Sequence, residues 1–215
     1  ITPKEFKVVG NLVKSQDNYS WIRRDSSNYK GMNQDEIAIN QNHEIEILKF
    51  ILKNANKNKI FVDIGAHVGF FTIRLANKFK KVHAIEPNPL NLEALKINLI
   101  LNNIKNIKLH EIGCWNKNKR DKIYDRGGGS FLKISLSRKT DDFEYPVKLV
   151  TLDSILKNIQ DPMIIKIDAE GAELPILQGA INTLKRKNIL WIIEHHEGVY
   201  QDLKGRREEI IVFMS

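Results

Sequence analysis

From residue 60 onward, short apolar runs alternate with longer stretches whose apolar positions recur at helical spacing. Residues 60–62, 82–85, 107–112, 163–167 and 189–193 are near-continuous apolar runs of strand length. Residues 70–79, 88–102, 152–159 and 173–186 read as the intervening helices. In the second of these, Leu92, Leu95, Leu99 and Asn102 share one face, and Pro89 suits a first helical turn. Strands that are apolar on both faces, with helices between them, predict a mostly parallel sheet covered on both sides, a doubly wound α/β domain. Upstream, Ile45, Leu48, Ile51 and Leu52 form an apolar stripe, so a helix is expected from about Asn42 to the polar turn formers at 54–58. Residues 1–42 have no long periodic run and predict an N-terminal extension with short strands near 6–9 and 19–23. The main domain is then 43–215. Residues 113–150 are polar and basic, carry Gly127, Gly128 and Gly129, and predict a hairpin or long loop.

Composition narrows the class. The 215 residues suit one domain with a full core, and 42% hydrophobic with 28% charged residues fits a folded chain. A single cysteine, Cys114, excludes a disulfide scaffold and a four-cysteine zinc module. No apolar run approaches the roughly twenty residues of a membrane helix. The chain opens on Ile1 with no signal-peptide pattern, which suits a fragment boundary, and a cytoplasmic protein with no membrane partner is expected. The net charge of +8 raises nucleic acid as a partner. Yet no segment is a dense basic block. Residues 101–148 carry the largest excess, +5, and the chain holds 30 Ile, 25 Lys and 21 Asn, a compositional bias that favours solvated surface lysine.

Ligands of doubly wound sheets bind beyond the carboxyl ends of the strands. There the sequence places Asp63, Glu86, Glu111, Asp168 and Glu194. The first strand runs into Asp63-Ile64-Gly65-Ala66-His67-Val68-Gly69, whose glycines permit a tight turn and close approach of a ligand. The spacing is not GxGxxG, and an acid two residues before the first glycine is a poor neighbour for phosphate but a good one for a cation. Glu86 follows Gly65 by 21 residues, the distance at which an acid accepts hydrogen bonds from ribose hydroxyls. A cation joined to a ribose describes S-adenosylmethionine (SAM).

The same residues resemble a known family. Residues 61–72 look like the first motif of the FkbM-type SAM-dependent methyltransferases, and Ala84-Ile85-Glu86-Pro87-Asn88-Pro89 is similar to that family's second-strand motif. Ile165-Lys166-Ile167-Asp168-Ala169-Glu170-Gly171-Ala172-Glu173 is close to its Ile-Asp-x-Glu-Gly-Ala-Glu signature. Val150-Thr151-Leu152-Asp153-Ser154 and Ile193-Glu194-His195-His196 also fit. The resemblance implies a class I, Rossmann-like methyltransferase fold. It implies that Asp63, Gly65, Ala66 and Gly69 border the methionine part of SAM, that Glu86 holds the ribose beside Pro87, and that Glu111 and Ile112 border the adenine, where the family more often has Asp or Asn. Asp168, Glu170 and Glu194 would line the mouth near the transferred methyl. In this fold a helix and two strands usually follow the fifth strand, whereas only about twenty residues follow His196, so an abbreviated C-terminal edge is expected.

Methyl transfer to a hydroxyl requires alignment and a group that takes the proton, for which Asp168, Glu194, His195 and His196 are candidates. Lys166 reads more naturally as an ion-pair partner, and Glu173 as an acid at a helix start. Cys114 reads as a buried apolar residue; Trp115 and Tyr124 suit either packing or an acceptor surface. The carboxylate and histidine spacing is not diagnostic of a metal, and none is assigned. The leading expectation is O-methylation of a small-molecule or sugar hydroxyl. RNA as acceptor, motivated by Lys117, Lys119, Arg120, Lys122 and Arg126, is the second reading, and a non-catalytic SAM- or nucleotide-binding protein the third. A dehydrogenase is disfavoured by the missing GxGxxG.

Overall fold

A computed structural model describes residues 12–15, 17–22, 44–125, 130–132, 143–194 and residue 210. In chain order the elements are β1 (Leu12–Lys14), β2 (Ser20–Ile22), α1 (Ile45–Asn54), β3 (Ile60–Ile64), α2 (Phe70–Ala76), β4 (Lys81–Ile85), α3 (Pro89–Leu101), β5 (Ile107–His110), β6 (Gly113–Cys114), β7 (Lys119–Asp125), β8 (Ser130–Leu132), β9 (Phe143–Val150), α4 (Leu152–Leu156), β10 (Met163–Ile167), α5 (Glu173–Gln178), α6 (Ile181–Leu184) and β11 (Ile189–Ile193).

The main sheet has the order β11-β10-β3-β4-β5, and all its pairings are parallel. The chain builds outward from β3 to β5, then returns to the other side of β3. The switch in strand order therefore falls between β3 and β10, where a doubly wound sheet opens a crevice. Alternate residues of the central strands are buried on opposite faces. Phe61, Val82 and Ile164 pack under Ile51 of α1 and Phe71 and Leu75 of α2. Leu95 of α3 covers Ala84 on that face. Val62, Ile64, Ile165 and Ile167 pack with Leu152 and Leu156 of α4 and Ile176 and Leu177 of α5. Helices thus cover both faces, as the apolar runs imply.

Several local expectations are corrected. The α1 stripe is Ile47, Leu48 and Ile51, whereas Leu52 is exposed. Residues 113–150 are not simply a hairpin or long loop: β6, β9, β7 and β8 form a second sheet in that order. It encloses its own apolar centre, in which Trp115, Ile123, Val147 and Leu149 are buried. The helix expected over 173–186 is two helices. The break falls at Gly179, where a Cβ would collide with the Trp115 carbonyl, so the segment closes directly on the backbone that follows β6. Asp153 joins these parts, accepting from the Asn182 and Thr183 amides at the start of α6 at 2.9 and 2.8 Å. Trp115 is packed, with the Lys119 ammonium 5.1 Å from its ring centre, and the Tyr124 hydroxyl donates to Glu144 at 2.8 Å. Cys114 is buried, and burial pushes its thiol up to about 12. The N-terminal strand near 6–9 and the residues following Glu194, apart from residue 210, lie outside the described residues, and so does the test of an abbreviated edge.

Candidate active site

The turn from β3 into α2 is the most constrained part of the sheet's carboxyl edge. Gly65 has φ 84°, and a Cβ on it would overlap the Asp168 carbonyl oxygen, so β3 and β10 meet there backbone to backbone. Gly69, at φ 101° ahead of α2, faces Leu95, whose Cδ1 would lie 2.6 Å from an added Cβ. The turn's amides are largely engaged within the protein. Those of Gly65 and Ala66 donate to the Ile85 carbonyl at 3.0 and 3.1 Å, and that of Gly69 to the Ala66 carbonyl at 2.8 Å. The His67 amide donates to Glu86 Oε2 at 2.9 Å.

Asp63 lies in β3 and is buried, with Oδ2 accepting from Thr72 Oγ1 of α2 at 2.6 Å. Its Oδ1 is buried with no hydrogen-bond partner among the described residues. Burial pushes the Asp63 pKa up, against the pull of Lys166 and Thr72. Glu86, directly after β4, is also buried. Its Oε1 accepts from the Asn88 amide at 2.9 Å and from Asn91 Nδ2 at 3.2 Å. Burial raises its pKa, opposed by those bonds and by the one from His67. Pro87 leads into Asn88, whose side chain caps α3 by accepting from the Leu90 amide.

Across the switch point, Lys166 of β10 sits beside Asp63 in register and is buried. Its ammonium donates to Asp168 Oδ2 at 2.8 Å and lies 4.5 Å from the Phe71 ring centre. Burial pulls its pKa down, but the surrounding carboxylates of Asp168, Asp63 and Glu44 overcome this and raise it, so Lys166 is a lysine held charged in the interior. Asp168, Glu194 at the end of β11 and Glu44 at the start of α1 each bring a carboxylate oxygen within 4.8 Å of the others. These three could hold a metal ion, although the Lys166 ammonium already places a cation on Asp168.

The sequence-predicted residues therefore divide. Asp63, Gly65, Glu86, Asp168 and Glu194 gather around the carboxyl ends of β3, β4, β10 and β11. Ala66 is buried against Ala84 and Leu95. Glu170 lies just beyond Asp168 at φ 49° and is partly buried. Glu111 is on the surface in an ion pair with Lys96 at 2.8 Å, and Ile112 packs on the α4–α5 side of the core. Glu173 is buried at the head of α5 and accepts from the Gly171 amide at 3.0 Å, the helix-start role expected for it. His195 and His196 lie outside the described residues. Glu44 was not anticipated. It precedes an apolar stripe far from any motif, and only the packing of α1 on the sheet carries it to Asp168.

Comparison with known proteins defines the class. Residues 63–214 match the methyltransferase FkbM domain, and the chain belongs to this family. It is 23% identical over 179 residues to the hexuronic acid methyltransferase AglP of Haloferax volcanii, covering 73% of this chain and 64% of that protein. Over 64 residues it is 39% identical to a probable ribosomal RNA small subunit methyltransferase A of Methanosphaera stadtmanae, covering 29% of this chain and 24% of that one. The chain thus spans less than two thirds of the length of these relatives. Among solved structures, the methyltransferase FkbM of Methylobacillus flagellatus is similar with a TM-score of 0.46 at 23% identity, over 64% of this chain and 33% of that one.

Proposed function

We propose that this protein is a SAM-dependent O-methyltransferase acting on a small-molecule or sugar hydroxyl. The observation that carries the reading is the β3–α2 turn. The amides of Gly65, Ala66, His67 and Gly69 are engaged internally, which suits it poorly to a phosphate, while the buried Asp63 Oδ1 has no donor among the described residues. A cationic ligand with hydrogen-bond donors fits both facts, and the amino acid part of SAM is such a group. Glu86 Oε2 accepts from the His67 amide and retains capacity for a ribose hydroxyl.

Bound there, SAM supplies a methyl group on a sulfonium: a C–O bond to the acceptor forms as the C–S bond breaks, and the hydroxyl loses one proton. In this reading Asp63 and Glu86 hold the cofactor, and the glycines let it approach the backbone. Asp168 accepts the proton, with its Oδ2 held by Lys166. Glu44 and Glu194 orient the acceptor by accepting hydrogen bonds from further hydroxyls. AglP acts, by its name, on a hexuronic acid, which supports a sugar acceptor. RNA is the second reading, supported by the basic excess of residues 101–148 and by the short match to a probable ribosomal RNA methyltransferase. Calorimetric titration with SAM, followed by a screen of sugars, small hydroxylated compounds and RNA with methyl-labelled SAM, tests the proposal. Absence of SAM binding would end it, and label transfer to RNA alone would favour the second reading.

A further inference from the structure

The hairpin of β1 and β2 stands apart from both sheets, yet it grips the two helices that begin at the proposed cofactor turns. On β2, the amides of Ser20 and Ile22 are directed at α3. Ile22 N–H donates to Asn98 Oδ1 at 2.7 Å, and Ser20 N–H donates to Asn102 Oδ1 at 2.8 Å, while Asn102 Nδ2 returns a bond to the Ser20 carbonyl at 2.7 Å. The spacings match. Alternate residues of a strand repeat about every 6.7 Å, and residues four apart on a helix about every 6 Å. Two asparagine side chains thus take the place of a third strand beside β2.

Asn98 does more than hold the hairpin. It is fully buried, and its Nδ2 donates to the carbonyl of Val68 at 2.9 Å, inside the β3–α2 turn. One amide group therefore links the hairpin backbone to the cofactor turn. Ile22, Val68 and Ala94 also pack together, so the link has an apolar component. On the other helix, Arg74 of α2 donates to Asp17 Oδ2 at 2.5 Å, and its guanidinium lies 4.1 Å from the Phe70 ring centre and 4.8 Å from that of Trp21. Trp21 is buried against Ile73 of α2.

We propose that the N-terminal hairpin is a working part of the cofactor site, with Asn98 as the positioning residue that transmits its docking to the β3–α2 turn. This rests on the reading of that turn as the SAM site. The hairpin ties α2 to α3, and the Val68 carbonyl of the turn is bonded to Asn98 of α3. By linkage, a hairpin that favours the binding shape of the turn must itself be held more firmly when SAM is bound.

The test uses the full chain. Asn98→Asp keeps the acceptor for Ile22 but sets a carboxylate oxygen against the Val68 carbonyl. Leaving that buried carbonyl without its donor is expected to raise the Kd for SAM about tenfold. Asp17→Asn loosens the hairpin at a half-exposed residue, leaves the core intact, and is expected to raise it about two- to threefold. In the unaltered protein, SAM should slow hydrogen exchange at the Ser20 and Ile22 amides. A merely structural hairpin would lower thermal stability in the variants and leave SAM affinity and SAM-dependent exchange unchanged, which would overturn the proposal. If Asn98→Asp does not fold, Asp17→Asn and the exchange measurement still decide. If the unaltered protein does not bind SAM, the reading of the turn fails, and this inference falls with it.

Discussion

Asp63, Glu86 and Asp168 lie at the carboxyl ends of three neighbouring strands but in different electrostatic settings, and their substitutions should separate accordingly. Asp63 and Glu86 are buried acids whose pKa values burial raises, so each gains from a ligand that donates to it. Replacing either with Ala should weaken SAM binding by about 1–3 kcal/mol, the usual consequence of unpairing a buried donor. Titration calorimetry measures this directly, and unchanged affinity in both variants would remove them from the cofactor site. Asp168 is fastened to an interior ammonium, so Asp168→Asn should lower kcat far more than SAM affinity, as read by single-turnover methyl transfer against binding. A loss confined to binding would instead assign Asp168 to the cofactor. Asp63 and Glu86 were legible in the sequence by their spacing from Gly65, and Asp168 because it follows an apolar strand and opens the Asp168-Ala169-Glu170-Gly171 signature. Glu44 was not legible, since no local pattern marks it and long-range packing alone brings it to Asp168.

The central strands and the first helices follow their apolar pattern because one periodicity dominates each. The pattern fails where two demands compete. In residues 173–186 the helical period continues, but contact with the second sheet requires the bare backbone of Gly179. Gly179→Ala should therefore destabilise the fold by about 1–3 kcal/mol, the range for overpacking a tight contact. Thermal unfolding would show it, and an unchanged midpoint would mean that α5 and the second sheet part easily. The hairpin expected in residues 113–150 is present in the antiparallel β7–β8 and β7–β9 pairs, but its extension to a four-stranded sheet was not legible, because the buried Ile123, Val147 and Leu149 are scattered through a polar, strongly basic segment. Between β4 and β5, His83 and His110 form a ring-nitrogen hydrogen bond of 3.1 Å. Burial holds both imidazoles down to about 4, helped for His83 by His110 and for both by Lys108 and Lys81. An imidazole whose pKa is depressed in the folded state contributes stability that is complete above the unfolded value near 6.5 and is lost as the pH falls toward 4. The raised pKa values of Asp63 and Glu86 act in the opposite direction over acidic pH, so the comparison must be made within a pair of proteins. Relative to the unaltered protein, His110→Gln should lose less stability between pH 6.5 and 4, measured by denaturant unfolding. Parallel curves would show that the pair does not govern acid sensitivity.

At the scale of the whole molecule, the net charge of +8 and the charge of the crevice have opposite signs. Glu44, Asp168 and Glu194 bring their carboxylates together at its mouth, and Lys166, flanked by Asp63, Asp168 and Glu44, is the interior cation beside them. Part of the basic surface that the described residues carry is paired with acids: Lys80 with Asp161, Lys96 with Glu111, Lys119 with Asp121 and Lys122 with Glu144. A polyanion would have to bring its phosphates to that mouth, close to carboxylates, for a ribose hydroxyl to reach the methyl group. A neutral sugar meets no such repulsion and offers several donors to the carboxylate oxygens. The expected outcome is therefore weak RNA binding that falls steeply between about 50 and 200 mM salt, as counterion release dictates, with no transfer of label to RNA. Transfer to a sugar hydroxyl should depend much less on salt over the same range. Anisotropy titration of a labelled RNA hairpin, run beside the methyl-transfer assay at each salt concentration, separates the cases. Salt-sensitive methylation of RNA with no transfer to sugars would place the acceptor on the basic surface and make the acidic mouth a cofactor device alone.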